Sequence, residues 1–255
     1  MATRRTVTVK IGGKAAEKTE LLRALFREMK ALSGTHRFLL VHGGGAEVTA
    51  VSRKFGIQAV FTDGVRMTSP EEMDIVDMVL SGKINKQLVR LCRSCGLDAV
   101  GLSGSDGGIF LGTARGGSRT GDIATVEPRL LATLLEAGYL PVISSTSMDS
   151  SGTALNINAD AAAFCLAGRL RADVLLFFSD IPGVLRDGKA IPRLAPSEAR
   201  KLIETGVVTG GMIPKVSASL GAIEEGVGRV VIGQYDTEGT LEDFLADRRG
   251  IAIAS

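Results

Sequence analysis

The sequence predicts an α/β protein with a mainly parallel sheet, on three observations. Strand-like apolar runs alternate with helix-length stretches whose apolar residues recur at helical spacing. The run DVLLFF (173–178) is apolar at almost every position, which is typical of a strand covered on both faces. Most of the strand-like runs end in Gly, Ser or Asp, as expected where a strand turns towards a helix.

The amino-terminal elements follow this alternation. The strand TVTVKI (6–11) precedes a helix near residues 19–32. The strand RFLLVH (37–42) then runs through three glycines into a second helix. Further along the chain the same patterns predict the strands LDAVGL (97–102), YLPVISS (139–145) and RVVIG (229–233), a glycine-punctuated β region (107–126), and helices after Pro128, from 196 to 204 and after Pro214.

A hairpin interrupts the alternation. Two short β-type runs flank Asp63-Gly64, which is a strong hairpin dipeptide. Directly after the hairpin, Ser69 is a predicted N-cap, Pro70 the first helical residue and Glu72 the capping-box residue. We expect the helix that follows to continue or restart as far as the next strand.

Charge and composition exclude several classes of protein. The 30 basic and 28 acidic residues are interspersed, so no basic stripe points to nucleic acid. With 4% aromatic residues and no Trp, a base-stacking platform is disfavoured. No apolar run has the length of a membrane span or of a signal-peptide core, which favours a cytoplasmic protein. The three cysteines are too few for a disulfide framework, and we interpret Cys92 and Cys95 as ordinary thiols at a helix end.

The glycines point to a phosphate site. The chain has 32 glycines, and clusters follow the first two strands at 12–13 and 43–45. Small residues with exposed N–H groups at strand ends can cradle a phosphate, and Ser103-Gly104 and Ser179-Asp180 stand at similar places. The motifs GxxxxGK[ST] and GxGxxG are absent from the expected positions, so a P-loop and a dinucleotide site are disfavoured. Each cluster, taken alone, is also explained by a tight strand-to-helix turn.

Two lysines stand at positions where a cation is unfavourable. Lys10 interrupts a β-branched strand, where burial of an ammonium is costly unless an anion meets it. Lys215 lies near a predicted helix start, where the helix dipole disfavours positive charge. A bound polyphosphate explains both lysines. The alternatives are an edge-strand lysine directed to solvent for Lys10 and a solvated first-turn residue for Lys215.

Polar side chains in the segment NINAD (156–160) and in the hairpin could bind a small ligand. The spacing in NINAD places Asn156, Asn158 and Asp160 on a common side at the entry to a helix. Helix-capping electrostatics alone also explain Asp160. Arg66, on the return arm of the hairpin, could hold a carboxylate with its guanidinium fork, or could be structural.

Five motifs in order, VKIGGK, HGGG, DGVRMT, NINAD and GGMIPK, resemble the amino acid kinase family and, within it, the acetylglutamate kinases. The resemblance runs over essentially the whole chain. It implies an open three-layer αβα sandwich around a mainly parallel sheet, with two lobes. Residues 1–170 would bind the acyl amino acid and dimerise, and residues 171–255 would bind the nucleotide.

The resemblance also implies roles for individual residues. Lys10 and Lys215 would stabilise the transferring phosphoryl group, helped by the backbone amides of Gly13 and Gly44, and Asp160 would orient the lysines. The acceptor would be bound by Gly44, Gly45, Asn156 and Arg66, with Arg66 on its α-carboxylate. The nucleotide and its phosphates would be bound by Gly12, Gly13, Ser179, Asp180, Leu185, Thr209, Gly211 and Met212.

The reaction so implied transfers a phosphoryl group from ATP to the side-chain carboxylate of N-acetyl-L-glutamate, a step of arginine biosynthesis, with Mg²⁺ held by the nucleotide phosphates and no metal site on the protein. The alternatives are a kinase for carrier-protein-bound aminoadipate in lysine biosynthesis and a non-catalytic ligand sensor. Family members that are inhibited by arginine carry an extra N-terminal helix that builds a hexamer. Because the first predicted strand begins at Thr6, we expect a homodimer without arginine feedback.

Overall fold

The computed structural model describes residues 4–12, 18–62, 64–179, 185–186, 189–191, 193–236 and 240–254. Its strands are β1 (Arg5–Ile11), β2 (His36–His42), β3 (Phe61–Thr62), β4 (Val65–Arg66), β5 (Ala99–Leu102), β6 (Phe110–Ala114), β7 (Thr120–Val126), β8 (Leu140–Ser144), β9 (Thr146–Met148), β10 (Ala154–Ile157), β11 (Val174–Phe178), β12 (Leu185–Arg186), β13 (Lys189–Ala190), β14 (Arg193–Leu194), β15 (Arg229–Gly233) and β16 (Ile251–Ala254). Its α-helices are α1 (Thr19–Leu32), α2 (Gly45–Lys54), α3 (Pro70–Asp77), α4 (Asn85–Ser94), α5 (Arg129–Glu136), α6 (Ala159–Arg169), α7 (Pro196–Glu204), α8 (Met212–Glu224) and α9 (Thr240–Leu245).

The chain divides into two compact units. The split unit contains both chain ends, residues 1–39 and 163–255, and the continuous unit contains residues 40–162. This division differs from the predicted lobes 1–170 and 171–255, because the first strand and helix cluster with the carboxyl-terminal part. The assignment of acceptor and nucleotide binding to two lobes stays a prediction.

The split unit is built on a sheet with the strand order β14-β16-β15-β11-β1. The pairs β1/β11, β11/β15 and β14/β16 are parallel, and only β15/β16 among them is antiparallel. All five residues of β11 are buried, as its apolar sequence predicts. Strand β1 is likewise buried along Val7–Ile11, so that both of its faces are covered. The mainly parallel sheet that the sequence predicts is confirmed.

The continuous unit combines a parallel sheet with a small barrel. Strand β8 pairs in parallel with β2 and with β5, and the register places His42 opposite Ser144. Strands β6, β7, β9 and β10 close into a barrel. The predicted hairpin is present as the antiparallel pair β3/β4. The sheet, the barrel and the hairpin contribute the polar residues of the site described below.

Helix α3 begins as the sequence predicts and ends differently. The side chain of Ser69 accepts a hydrogen bond from the Glu72 amide at 3.2 Å, and Pro70 is the first helical residue. After Asp77 the backbone widens into a π-helical segment, Met78–Ile84, before α4 begins. The sequence predicts continuation or a restart, and it does not predict the π turn. Such turns occur frequently at functional sites.

The cysteines lie where the sequence places them. Cys92 is buried in α4 and Cys95 follows the end of this helix, and neither forms a disulfide. Burial raises the pKa of the Cys92 thiol, which disfavours its reactive thiolate form. In the part of the chain that the structure describes, none of the helices has the length and apolar character needed to cross a membrane.

Candidate active site

A cavity of about 470 Å³ with polar and apolar lining residues lies within the continuous unit. Its volume is in the range of small-molecule sites. It brings together five residues that sequence reasoning selected from three separate segments: Gly44, Gly45, Arg66, Asn156 and Asp160. It is also lined by Gly43, Ala46, Val48, Thr49, Phe61, Gly64, Val65, Leu80, Thr120, Ser145, Ile157, Asn158 and Ala159.

One wall of this cavity is the glycine turn between β2 and α2. Gly44 immediately precedes α2, so the N–H groups of the first helical turn are available to an anion. A Cβ added at Gly44 would collide with the side chains of Leu80 and Ile84 from the π segment. A Cβ at Gly43 would lie 3.2 Å from that of Ala159. The turn therefore needs glycine so that its backbone can pack this closely.

Arg66 is fixed at the rim of the cavity by four groups. Its Nη1 donates to Oε1 of Glu72 at 2.6 Å, and both side chains are almost fully buried. Its Nη2 donates to the Gly45 carbonyl at 3.0 Å and to the Thr49 hydroxyl at 2.5 Å. The ring centroid of Phe61 lies 4.9 Å from the guanidinium carbon. These contacts leave Nε and one Nη1 proton without an acceptor among the described residues.

Sequence reasoning missed Glu72 as a part of this site. The capping-box pattern predicts that its carboxylate reaches back to the N-cap amide, but the carboxylate accepts from Arg66 and from the Ser52 hydroxyl, the latter at 3.2 Å. The physical reason is that the buried guanidinium is a stronger donor than a neutral amide. The spacing of Arg66 and Glu72 alone does not distinguish the two arrangements.

Residues of the NINAD segment, Asn156, Asn158 and Asp160, also line the cavity. Asn156 is on β10 and donates from Nδ2 to the Thr68 hydroxyl at 2.9 Å. The Oδ1 of Asn158 accepts from the amides of Asp160 and Ala161, so Asn158 supplies the hydrogen bonds that cap α6. Asp160 lies half-buried in the first turn of that helix.

His42 lies behind the glycine turn and is 1% exposed. Its Nδ1 is 2.9 Å from the Gly43 carbonyl, and its Nε2 is 3.1 Å from Nδ2 of Asn85. Burial lowers the pKa of His42 to about 4, so the ring is neutral at physiological pH.

In the split unit, Lys10 is buried and faces an aromatic ring. It is 8% exposed, and its Nζ lies 4.7 Å from the centroid of the Phe177 ring. The alternative of an edge-strand lysine directed to solvent is wrong, because β1 pairs with β11 and the side chain is covered. A Cβ added at Gly12 would collide with the Lys10 ammonium group. Only a glycine at position 12 therefore allows the backbone to approach this cation so closely.

The second lysine lies at the start of α8, also in the split unit. This helix begins at Met212, three residues before the predicted start, so Lys215 is its fourth residue. Lys215 is partly buried, and its Nζ donates to the Gly211 carbonyl at 3.2 Å. Thr209 and Gly211 are exposed beside it, and Met212 is buried.

The remaining predicted nucleotide residues are described in part. Ser179 follows β11 and donates its backbone N–H to the Gly233 carbonyl at 2.9 Å. Gly13 and Asp180 lie outside the described residues, and the structure describes Leu185 only as a member of β12. Within the described ranges no group of three or more His, Cys, Asp or Glu side chains could hold a metal ion.

One of the glycine-rich strand ends is not a phosphate cradle. After β5, the Gly104 amide donates to the Thr146 carbonyl and the Gly108 amide to the Ser105 carbonyl. A Cβ at Gly104 would collide with the Phe110 ring. Gly104 therefore serves close packing, and the Gly104 and Gly108 amides already have protein acceptors.

Comparison with known proteins confirms the family. The model of the amino acid kinase family matches residues 5–234. The chain belongs to this family. Among curated amino acid kinases, it is 42% identical to an acetylglutamate kinase of Geobacillus kaustophilus over 233 residues, 89% of each chain. It is also 42% identical to an acetylglutamate kinase of Synechococcus over 231 residues, 88% of this chain and 78% of the relative.

Solved structures show the same amino acid kinase fold. The smu.665 protein of Streptococcus mutans superposes with a TM-score of 0.81 and 26% identity, covering 98% of both chains. Carbamate kinase from Giardia lamblia bound to AMP-PNP superposes with a TM-score of 0.75 and 15% identity over the full length of both chains. The likeness to the second structure shows the fold alone.

Proposed function

We propose that this protein phosphorylates the side-chain carboxylate of N-acetyl-L-glutamate with ATP, which yields N-acetyl-L-glutamyl 5-phosphate in arginine biosynthesis. The observation that carries the proposal is the cavity of the continuous unit, where a buried arginine and a helix N-terminus meet. Support comes from the curated relatives with 42% identity, which are named acetylglutamate kinases.

The cavity suits an acceptor with carboxylates and an amide. The Nε–H of Arg66 has no acceptor among the described residues and can donate to one oxygen of the α-carboxylate. The amides of Gly44 and Gly45 at the start of α2 can donate to anionic or carbonyl oxygens. Asn156 is held by Thr68 and contributes a side-chain amide for the acyl-amino group.

The phosphoryl transfer itself needs charge neutralisation rather than a base. A side-chain carboxylate with an ordinary pKa of about 4.3 is already ionised at neutral pH. In our proposal Lys10 and Lys215 neutralise the transferring group together with the amides of Gly13 and Gly44, and Asp160 is an organising carboxylate. Such preorganised donors are the main source of catalysis in phosphoryl transfer.

The nucleotide would be bound in the split unit. The close approach of Gly12 to the Lys10 ammonium fits a phosphate, since a cation and bare backbone lie side by side there. Ser179, Asp180, Leu185, Thr209, Gly211 and Met212 are the other residues that we assign to nucleotide binding, with Gly12 and Gly13. Mg²⁺, held by the nucleotide phosphates, supplies further neutralisation of their oxygens.

An acceptor panel tests the proposal. ADP release is measured with N-acetylglutamate, glutamate, aspartate and UMP, and with Lys215→Ala beside the wild type. We expect turnover with N-acetylglutamate that Lys215→Ala abolishes. Activity with none of the four acceptors would instead support a ligand-sensing protein.

We also propose that the enzyme is a cytoplasmic homodimer without arginine feedback. Light scattering of the purified protein, with and without L-arginine, measures its mass. A hexamer, or inhibition by L-arginine in the ADP-release assay, would contradict this part of the proposal.

A further inference from the structure

His42 has hydrogen-bond partners on both ring nitrogens, although the proposed chemistry gives it no part. It is the last residue of β2 and directly precedes the three-glycine turn. It does not line the cavity itself. Its ring is fully enclosed between the Gly43 carbonyl on one side and the Asn85 amide on the other.

The partners of Asn85 determine which ring nitrogen carries the proton. Nδ2 of Asn85 lies 2.8 Å from the Val142 carbonyl, an acceptor, and 3.1 Å from Nε2 of His42. On the other side of the amide, Oδ1 of Asn85 accepts from Nζ of Lys86 at 3.0 Å. The amide nitrogen must therefore face His42, so Nε2 accepts and the proton is on Nδ1. From Nδ1 the ring donates to the Gly43 carbonyl at 2.9 Å.

This hydrogen bond fixes the direction of the next amide. In a trans peptide the C=O of one residue and the N–H of the next point in opposite directions. With the Gly43 oxygen held by His42, the Gly44 N–H points away from His42. Gly44 lines the cavity, and no described residue accepts a hydrogen bond from its amide.

Consecutive glycines do not hold such an orientation by themselves. Glycine adopts both signs of φ at little steric cost, so the Gly43–Gly44 peptide could rotate in the absence of a tether. The Nδ1 hydrogen bond supplies the tether from a buried ring that is itself held by Asn85. A donor that is already oriented costs no reorganisation when charge develops on a bound group.

We propose that His42 is a positioning residue, which holds the Gly43–Gly44 peptide so that the Gly44 amide donates to the anionic group bound in the cavity. The identity of this anionic group rests on the proposed function, in which it is either the transferring phosphoryl group or an oxygen of the acceptor. Asn85 sets the tautomer of His42 and therefore acts on the Gly43–Gly44 peptide only through His42. Neither residue touches the reacting atoms.

Two substitutions at His42 separate this role from simple packing. Asn places its side-chain nitrogen near the position of Nδ1, so His42→Asn retains the donor, whereas His42→Leu fills the space without one. We expect His42→Leu to lower kcat for N-acetylglutamate phosphorylation by about 10- to 100-fold, with little change in the KM for ATP, and His42→Asn to recover most of kcat. Urea unfolding of both variants measures any loss of fold.

The matched control is His36→Gln, which replaces the other histidine of the chain. It should leave kcat unchanged. In the same variant His42 gives the only histidine signal, so the nitrogen chemical shifts of its ring report the tautomer directly. We expect the Nδ1–H form, in which Nδ1 donates to the Gly43 carbonyl and Nε2 accepts from Asn85.

The outcomes are distinct. An Nε2–H tautomer in His36→Gln overturns the inference, whatever the activity. Equal kcat for the wild type and folded His42→Leu also overturns it. If the wild type itself phosphorylates none of the acceptors, the proposed function fails, and the tautomer measurement still tests the geometry at Gly43.

Discussion

Arg66 and Glu72 form a buried ion pair, in which Nη1 donates to Oε1 at 2.6 Å and the side chains are 8% and 2% exposed. Arg66 ends the hairpin strand β4, and Glu72 lies in the first turn of α3. The pair therefore fixes a guanidinium that we assign to the acceptor before any ligand arrives. Its two partner groups on α2, Gly45 and Thr49, complete the fixation.

Loss of Glu72 should destabilise the protein strongly. Glu72→Ala leaves the Arg66 charge buried without its counter-ion, for which we expect a fall of about 3–5 kcal/mol in the free energy of unfolding. Glu72→Gln keeps an acceptor oxygen and should cost less. Urea unfolding measures both. The control is Glu71→Gln at the exposed neighbouring position, which loses only a hydrogen bond from the Ser69 hydroxyl and should lower the urea midpoint much less. Equal midpoints for Glu72→Ala and Glu71→Gln would show that the Arg66–Glu72 ion pair does not stabilise the folded protein.

Arg66→Lys should weaken acceptor binding. A lysine cannot retain the contacts with Glu72, Gly45 and Thr49 and also present a further N–H donor to a carboxylate. We expect the KM for N-acetylglutamate to rise about 10- to 100-fold, the equivalent of about 1–3 kcal/mol, while the KM for ATP changes little. Steady-state kinetics with each substrate varied in turn separate the two constants. A rise in the ATP KM alone would contradict the assignment of Arg66.

Asp160→Asn should impair turnover more than substrate binding. The amide keeps the size and removes the charge of the carboxylate that we assign to organising the lysines. We expect kcat to fall by at least about 10-fold and the KM for N-acetylglutamate to stay within about threefold. The control is Asp122→Asn, whose carboxylate pairs with Arg115 on the surface. An unchanged kcat in Asp160→Asn would remove Asp160 from the site.

Gly12→Ala should displace the Lys10 ammonium. The added Cβ would collide with Nζ, and the side chain would have to leave its place over the Phe177 ring. We expect a fall in kcat/KM for ATP of about 10-fold or more. Gly34→Ala is the matched control, since a Cβ there meets no atom within 4 Å. Wild-type kinetics in a folded Gly12→Ala would show that the close approach has no catalytic importance.

Stability should fall with acid in a window set by His42. Burial lowers its pKa to about 4, below the ordinary value of 6.5, so the unfolded chain binds a proton more readily than the folded one. The contribution of neutral His42 to the free energy of unfolding is fully present above pH 6.5. It is lost progressively as the pH falls to 4, by about 3 kcal/mol in total. Urea unfolding at pH 7, 5.5 and 4.5 measures it. His42→Asn should lose less stability than the wild type over this window, and parallel curves would contradict the prediction.

Local patterns predicted much of this fold. The hairpin and the start of α3 depend on residues that are adjacent in sequence, such as Ser69 and Pro70, and their conformations follow from those residues alone. The buried parallel strands were recognisable because a strand covered on both faces is apolar throughout. Arg66 and Asn156 were selected as polar residues at special positions, and the cavity includes both.

The interactions that sequence reasoning missed join distant residues. The tautomer of His42 depends on Asn85, which is 43 positions away in the chain. The choice of Glu72 between the N-cap amide and Arg66 depends on the packing of the hairpin against α2 and α3. The π segment Met78–Ile84 contains Ser81 and Gly82, which weaken a helix, but neither residue type specifies the extra width. In each case the competing local arrangement is equally compatible with the sequence.

The separation of the two ends of the split unit matters while the protein is being made. Val7 on β1 pairs with Val174 on β11, 167 residues later. At a synthesis rate of about 5–20 residues per second, that edge of β1 stays without its partner for roughly 8 to 30 seconds, whereas residues 40–162 emerge as one uninterrupted stretch. Ribosome-bound chains therefore carry an open, β-branched strand edge near their amino terminus. This edge is the natural place for a chaperone to bind and for nascent chains to associate wrongly.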